Sequence, residues 1–224
     1  MSEHLRRRWA AYRGFRIILS IAVVYSVLRL AAHAVYLTTL LAPAKLPGWV
    51  GAAEPMVPVD LQTYLDAATN FVQRQPLYPA GTIDQLEGLY QYSPAFALAF
   101  IPFLGFSPAC VAIIHTAIHI LAYASMFILW NRIFLRLGLW RAKDMMIRTL
   151  PVWLVFSAFW SDLGYLNLYV IMALLATLLI DAILQERLVL SVLCVTVIIA
   201  IKPMWAFAAA VPLFTGRRKF FWSL

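Results

Sequence analysis

Charge is what this chain has least of. Only 12% of its 224 residues are Asp, Glu, Lys or Arg, about half the share of an ordinary soluble domain. Hydrophobic residues make up 63%, and that ratio excludes a cytosolic enzyme, a disordered tail and a secreted disulfide scaffold. Cysteine is scarce as well. Cys110 and Cys194 lie far apart inside apolar runs, so neither a disulfide framework nor a zinc site is legible. The sequence contains no glycine-rich phosphate loop, dinucleotide fingerprint, serine nucleophile elbow or zinc-protease helix. It also shows no internal repeat, which counts against a transporter built from inverted halves.

What the chain does have is long apolar sequence. A bilayer core about 30 Å thick needs about 20 apolar residues in helix, and Ile17 to Leu41 is the clearest such run. It follows a basic leader, residues 1–16, with Arg6, Arg7, Arg8, Arg13 and Arg16. The leader fits a signal peptide or an uncleaved first span. Ala32-His33-Ala34 resembles a cleavage site, but the run continues past it and exceeds an ordinary signal core, which favours the anchor. Five further segments follow: Pro108 to Trp130, Ile147 to Trp160, Gly164 to Ile183, Leu188 to Ile201 and Pro203 to Thr215. The expected fold is therefore all-α, a polytopic transmembrane helical bundle of about six spans, with five membrane segments within residues 108–215. Several segments are short or interrupted by proline, a pattern of half-helices or re-entrant pieces around a buried polar site.

The basic residues set an orientation. Beside the leader, Arg132, Arg136, Arg141, Lys143 and Arg148 lie between the second and third segments, Arg187 between the fourth and fifth, and Arg217, Arg218 and Lys219 in the last stretch, residues 216–224. Fourteen of the 18 basic residues thus share one side, which the positive-inside rule makes cytoplasmic. The net charge of +8 is explained by that rim, and no nucleic-acid partner is implied. The bilayer itself is the expected partner, and a multi-pass protein of the cytoplasmic membrane the expected localisation.

Residues 42–107 then form one large extracytoplasmic loop, longer than a connector requires. Between Leu41 and Pro94 it holds Lys45 and Arg74 against Glu54, Asp60, Asp66, Asp84 and Glu87. Leu61, Tyr64, Leu65, Ala68 and Phe71 recur at helical spacing, with Asp60 where an N-cap belongs and Pro76 as the stop. That amphipathic helix is expected to lie along the membrane surface. Ala95 to Phe106, broken by Pro102 and Gly105, would be about 18 Å as helix, too short to cross. It reads as a second juxtamembrane or re-entrant helix. Trp49, Tyr78, Tyr90, Tyr92, Trp160 and Tyr165 crowd the same side and fit an interfacial aromatic belt.

An aspartate after the first span, then Tyr64, Ala67-Ala68, Pro76-Leu77-Tyr78, and Tyr92-Ser-Pro94 leading into Phe96 and Pro102, resembles glycosyltransferase family 87. Gly164-Tyr-Leu-Asn167 resembles that family's Gly-Gln-x-Asn, and Ile201-Lys202-Pro203 its lysine-proline step. The likeness runs over about Asp60 to Arg218. Gln75 stands where the family usually has glycine, and Tyr165 where it has glutamine. The resemblance implies a GT-C-type integral-membrane enzyme, moving a sugar, mannose by preference, from a polyprenyl-phosphate donor to a glycolipid or glycan acceptor of the cell envelope. Family members are about twice as long, so this chain corresponds to the N-terminal half, with a second chain as one source of further spans. The absent nucleotide motifs agree with a lipid-carried donor.

Such transfer needs a base for the acceptor hydroxyl, and the resemblance assigns that role to Asp60. A plain helix cap is the competing reading. The departing phosphate calls for a cation. Lys202, set between apolar runs beside Pro203, is the candidate, against simple snorkelling to the interface. Arg29 shares a helix face with His33 and is a second phosphate candidate, with snorkelling again the alternative. Tyr64, Tyr92, His115, His119 and Asn167 are the expected lining of the substrate cavity. Asn167 and Asp162 flank a turn and equally fit turn chemistry. Asp66 reads as a solvated helix face. His115 and His119 have metal-compatible spacing, but no third ligand stands nearby, so neither metal nor cofactor is expected. The reading from another class is a non-catalytic membrane protein, a transporter or lipid-binding subunit, or an inactive fragment.

Overall fold

The computed structural model describes residues 12–41, 56–78 and 90–210, with side chains through 207. The leader before residue 12, Lys45, Trp49, Glu54, Asp84, Glu87 and the basic stretch 216–224 lie outside the described residues, as does the end of the sixth apolar segment. Among the described residues every regular element is helical. In chain order they are α1 (Arg13–Leu41), α2 (Val59–Val72), α3 (Pro94–Phe100), a 3-10 turn (Ile101–Gly105), α4 (Pro108–Arg136), α5 (Trp140–Arg148), α6 (Leu150–Val155), α7 (Ser157–Tyr165), α8 (Tyr169–Leu184), α9 (Leu188–Ile201) and a final 3-10 segment (Pro203–Ala210).

Two helices are long and apolar enough to cross a membrane, α1 and α4. Residues 150–165 with 169–184 count as a third when taken as one span, bent by 116°. At 14 residues, α9 is about 21 Å long. These lengths place the chain in association with a membrane. Helix α1 is apolar nearly all round and buries only Leu19, Ala22, His33 and Leu37; Ile17, Ile18, Ile21, Val24, Val27 and Leu28 are exposed, as suits a lipid-facing helix.

Sequence chemistry fixes the helix ends. Ser93-Pro94 and Ser107-Pro108 each pair an N-cap serine with proline at the first helical position, and the hydroxyls accept from Phe96 N and Cys110 N, both at 3.3 Å. Helix α4 runs beyond Trp130 to Arg136 and stops where Gly138 takes φ 68°, with Leu139 N donating back to Phe134 O at 2.8 Å, a left-handed glycine stop. The third apolar segment is not one rod. It divides at Thr149 and again at Phe156, which is extended.

Helix α2 departs from expectation at both ends. Pro58, not Asp60, occupies the cap position, and Asp60 lies in the first turn without capping it. The helix ends at Val72, where Arg74 adopts φ 58°, before Pro76 is reached.

Helix α8 packs on α4 and α9, α1 packs on α6 and α4, and α2 packs on α3. A ladder of rings fills the space between them. Tyr64 lies 5.1 Å from Tyr92, Phe96 and Phe100, and Phe100 stacks on His115 at 5.1 Å. Offset and edge-on rings at such spacings add about 0.5–1.5 kcal/mol per pair beyond burial. This ladder holds α2 against the bundle and carries its first turn to the α7–α8 break.

Candidate functional site

Two backbone breaks create the site. Lys202 precedes Pro203, and the residue before proline is pushed out of the helical region; Lys202 is extended, at φ −137°, ψ 95°. A helix that stops inside a bundle leaves carbonyls without partners. Here Ser93 takes them: its N–H donates to Ile201 O at 3.1 Å and its hydroxyl to Ala200 O. The Tyr90–Ser93 segment is thereby pinned against the end of α9. The second break joins α7 to α8. Leu166, fully buried, adopts the left-handed conformation at φ 53°, which costs a non-glycine residue about 1–3 kcal/mol. Asn167 N donates to Asp162 O at 3.0 Å, and the Asp162 carboxylate accepts from Val170 N at 3.1 Å, satisfying the start of α8.

Asn167 is the hub. Its amide donates to Asp60 Oδ2 at 2.7 Å across 107 residues. Its Oδ1 accepts from Leu168 N at 2.6 Å and stands 3.5 Å from the Tyr92 hydroxyl, which is 3.0 Å from the Tyr64 hydroxyl. Lys202 completes the cluster. Its ammonium donates to the Tyr169 hydroxyl at 3.3 Å and lies 5.3 and 5.0 Å from the Tyr92 and Tyr169 rings. Lys202 is buried, and among the described residues no carboxylate lies within ion-pair distance of it.

Burial raises the Asp60 carboxyl above its ordinary range; the Asn167 hydrogen bond and the Lys202 charge offset part of that. A carboxyl so placed is a stronger base than one in water. Burial pushes the Tyr92 phenol up to about 12 and the Tyr64 phenol higher still, so both remain neutral hydrogen-bonding groups. A cavity of about 590 Å³ reaches the cluster through Asn167 and Tyr169, with Tyr123, Met126, Phe159 and Asp162 among its walls.

Of the expected site residues, then, the fold brings together Asp60, Asn167, Lys202, Tyr64 and Tyr92. Of the residues expected to line the substrate cavity, only Asn167 is on the wall of this one; Tyr64, Tyr92, His115 and His119 are buried among the helices behind it. His115 is buried between Phe100 and Phe103, and among the described residues neither ring nitrogen has a hydrogen-bond partner. His119, fully buried, supports the hub from below: Nδ1 meets His115 O at 2.7 Å, Nε2 meets Asn167 O, and the Asp162 carboxylate is 3.7 Å away. Among the described residues no three His, Cys, Asp or Glu side chains gather into a metal-holding group. Arg29 is also elsewhere. It stands over the Trp160 ring at 5.7 Å, in a second cavity with His33, Tyr36 and Tyr165. Asp66 is on the exposed face of α2 and accepts from Gln62 at 2.7 Å. Tyr169 escaped notice in the sequence because a tyrosine opening an apolar helix looks like belt; its signal was its position two residues after Asn167.

The comparisons with protein-family models, curated proteins and solved structures find no match to this chain.

Proposed function

We propose that this chain is an inverting membrane glycosyltransferase of GT-C type, which moves a sugar from a polyprenyl phosphate to the hydroxyl of a cell-envelope glycolipid or glycan. The observation that carries the reading is the meeting of an acid and a cation that do not neutralise each other. Asp60 is held at 2.7 Å by a neutral amide, and Lys202 is held by a phenol and two ring faces. The site thus keeps a base and a positive charge in reserve.

In the proposed reaction Asp60 takes the proton of the acceptor hydroxyl as its oxygen attacks the anomeric carbon. The bond from that carbon to the phosphate oxygen breaks, its electron pair leaves with the phosphate, and Lys202 stabilises the charge that develops there. One displacement inverts the anomeric configuration. Asn167 orients the base, and Tyr64 and Tyr92 back the amide. The resemblance in Asp60, Tyr64, Tyr92-Ser-Pro94, Asn167 and Lys202-Pro203 supports the substrate class, with mannose the favoured sugar. No step calls for a metal or cofactor.

The corresponding topology has six membrane segments with both ends cytoplasmic, α2 and α3 lying at the outer surface, and the cluster opening to the outer leaflet of the cytoplasmic membrane. The test is incubation of the full chain, in nanodiscs, with radiolabelled polyprenyl-phosphate mannose, glucose and arabinose and a cell-envelope lipid extract. Labelled glycolipid formed from one of the donors is the expected result. Failure of every donor to react, with intact helical structure, would overturn the proposal.

A further inference from the structure

Arg29 is the one strong cation of α1 that the fold carries away from the helix ends. It sits in the second half of the helix, flanked by exposed apolar side chains that include Leu28, Leu30 and Val35. A charged residue within a membrane helix is costly unless something answers it. Among the described residues no carboxylate pairs with Arg29; its guanidinium carbon lies 5.7 Å from the centre of the buried Trp160 ring. A cation over an aromatic face keeps its hydrogen-bond donors free.

Arg29 lines a cavity of about 410 Å³ between α1 and the α7 turn, together with Tyr36, Tyr165, Ser161 and His33. The His33 ring is fixed from behind by Thr116, at 3.1 Å. This is a donor-rich, carboxylate-free pocket, of the size of small-molecule sites, on a lipid-facing helix. It is distinct from the cavity that reaches the Asp60–Lys202 cluster through Asn167 and Tyr169, with which it shares only Ser161 and Tyr165.

We propose that this cavity binds a phosphate group, with Arg29 as its bidentate partner and Tyr36 and Tyr165 as hydroxyl donors. Guanidinium and phosphate match in geometry as well as charge, and a site opening on a lipid-facing helix receives its phosphate most directly from the headgroup of an anionic phospholipid. The binding does not depend on sugar transfer.

The experiment uses the full chain in phosphatidylcholine nanodiscs, with no sugar donor. In one arm phosphatidylglycerol is titrated in and the lipid retained on the released protein is counted by native mass spectrometry. In the other, inorganic phosphate is added to phosphatidylcholine discs and followed by 31P line broadening. The expected result is one tightly retained phosphatidylglycerol, with affinity falling about 10-fold or more in Arg29→Gln, the loss of a charge-assisted pair. Tyr165→Phe, which keeps the ring and the fold, should lose about 3-fold for one hydroxyl. Arg29-dependent broadening of inorganic phosphate alone would support the anion site and make its source aqueous. Arg29-independent behaviour in both arms would overturn the proposal. Helical circular dichroism on each variant separates loss of binding from loss of fold.

Discussion

Asp181 and Asp60 each leave a helix to meet a residue from a distant part of the chain, yet their charges meet different partners. On α8, the Asp181 carboxylate accepts from Arg136 through Oδ1 and from Gln185 at 2.7 Å through Oδ2. Both oxygens are occupied, and the charge is cancelled by a guanidinium. Among the described residues Asp60 accepts one side-chain hydrogen bond, from the neutral amide of Asn167, and the Lys202 charge acts on it only through space. The first arrangement closes a helix bundle. The second leaves a base and a cation open to a third party, and this difference separates an ion pair that holds structure from a pair of charges available for chemistry.

The sharpest way to break the comparison is to remove one charge from each region in turn. Lys202→Ala should raise the donor concentration for half-maximal transfer by about 10- to 100-fold, the worth of a charge-assisted hydrogen bond to phosphate, with little change in thermal stability. Titration of initial rates against polyprenyl-phosphate sugar gives the number. Asp181→Ala should do the reverse. It strands Arg136, whose side chain keeps 38% exposure, so the cost falls at about 1–3 kcal/mol, below the 3–5 of a fully buried pair. That loss appears as a lower unfolding midpoint in detergent, with the transfer rate per folded molecule unchanged.

Asp60 also gives folding stability and transfer opposite pH trends. Burial raises its carboxyl in the folded state, so between the ordinary carboxylate range and that raised value the unfolded chain has released a proton that the folded chain still holds. Folding stability from this group therefore falls as pH rises through the window, while the fraction of Asp60 able to accept a proton grows. Transfer rate should climb over the interval in which the unfolding midpoint declines, and Asp60→Asn should flatten the stability slope. The smallest effect is expected of Tyr64→Phe. It deletes one hydroxyl from the 3.0 Å pair with Tyr92 and keeps the ring contacts, costing about 1 kcal/mol and less than about 3-fold in rate.

The helical, membrane-associated character of the chain was readable from its apolar runs, and so was each member of the cluster except Tyr169, taken singly. Asp60 follows a rigid Val57-Pro58-Val59, Lys202 interrupts an apolar run beside proline, and Asn167 sits at a turn. Their meeting was not readable, because it depends on Ser93 capturing the Ala200 and Ile201 carbonyls and on a leucine held left-handed at position 166. Cap preference pointed to Asp60 as a helix cap; Pro58 took that place, since its fixed φ suits the helix start. The Arg136–Asp181 pair was missed for a different reason. A window average absorbs one aspartate in a strongly apolar helix, although a lone acid there demands a partner. Hydropathy also could not show that Phe156 would break the third segment, as Val152 to Leu163 contains no proline or glycine.

The central claim is that the Asp60 carboxylate removes the acceptor's proton. It is tested most directly by single-turnover transfer from a labelled polyprenyl-phosphate sugar, with wild type and Asp60→Asn compared at matched helical content. The asparagine keeps the side-chain shape and a hydrogen bond to Asn167 but cannot take a proton, so transfer should drop by at least about 100-fold while donor binding persists. Transfer by Asp60→Asn within a few-fold of wild type would contradict the account.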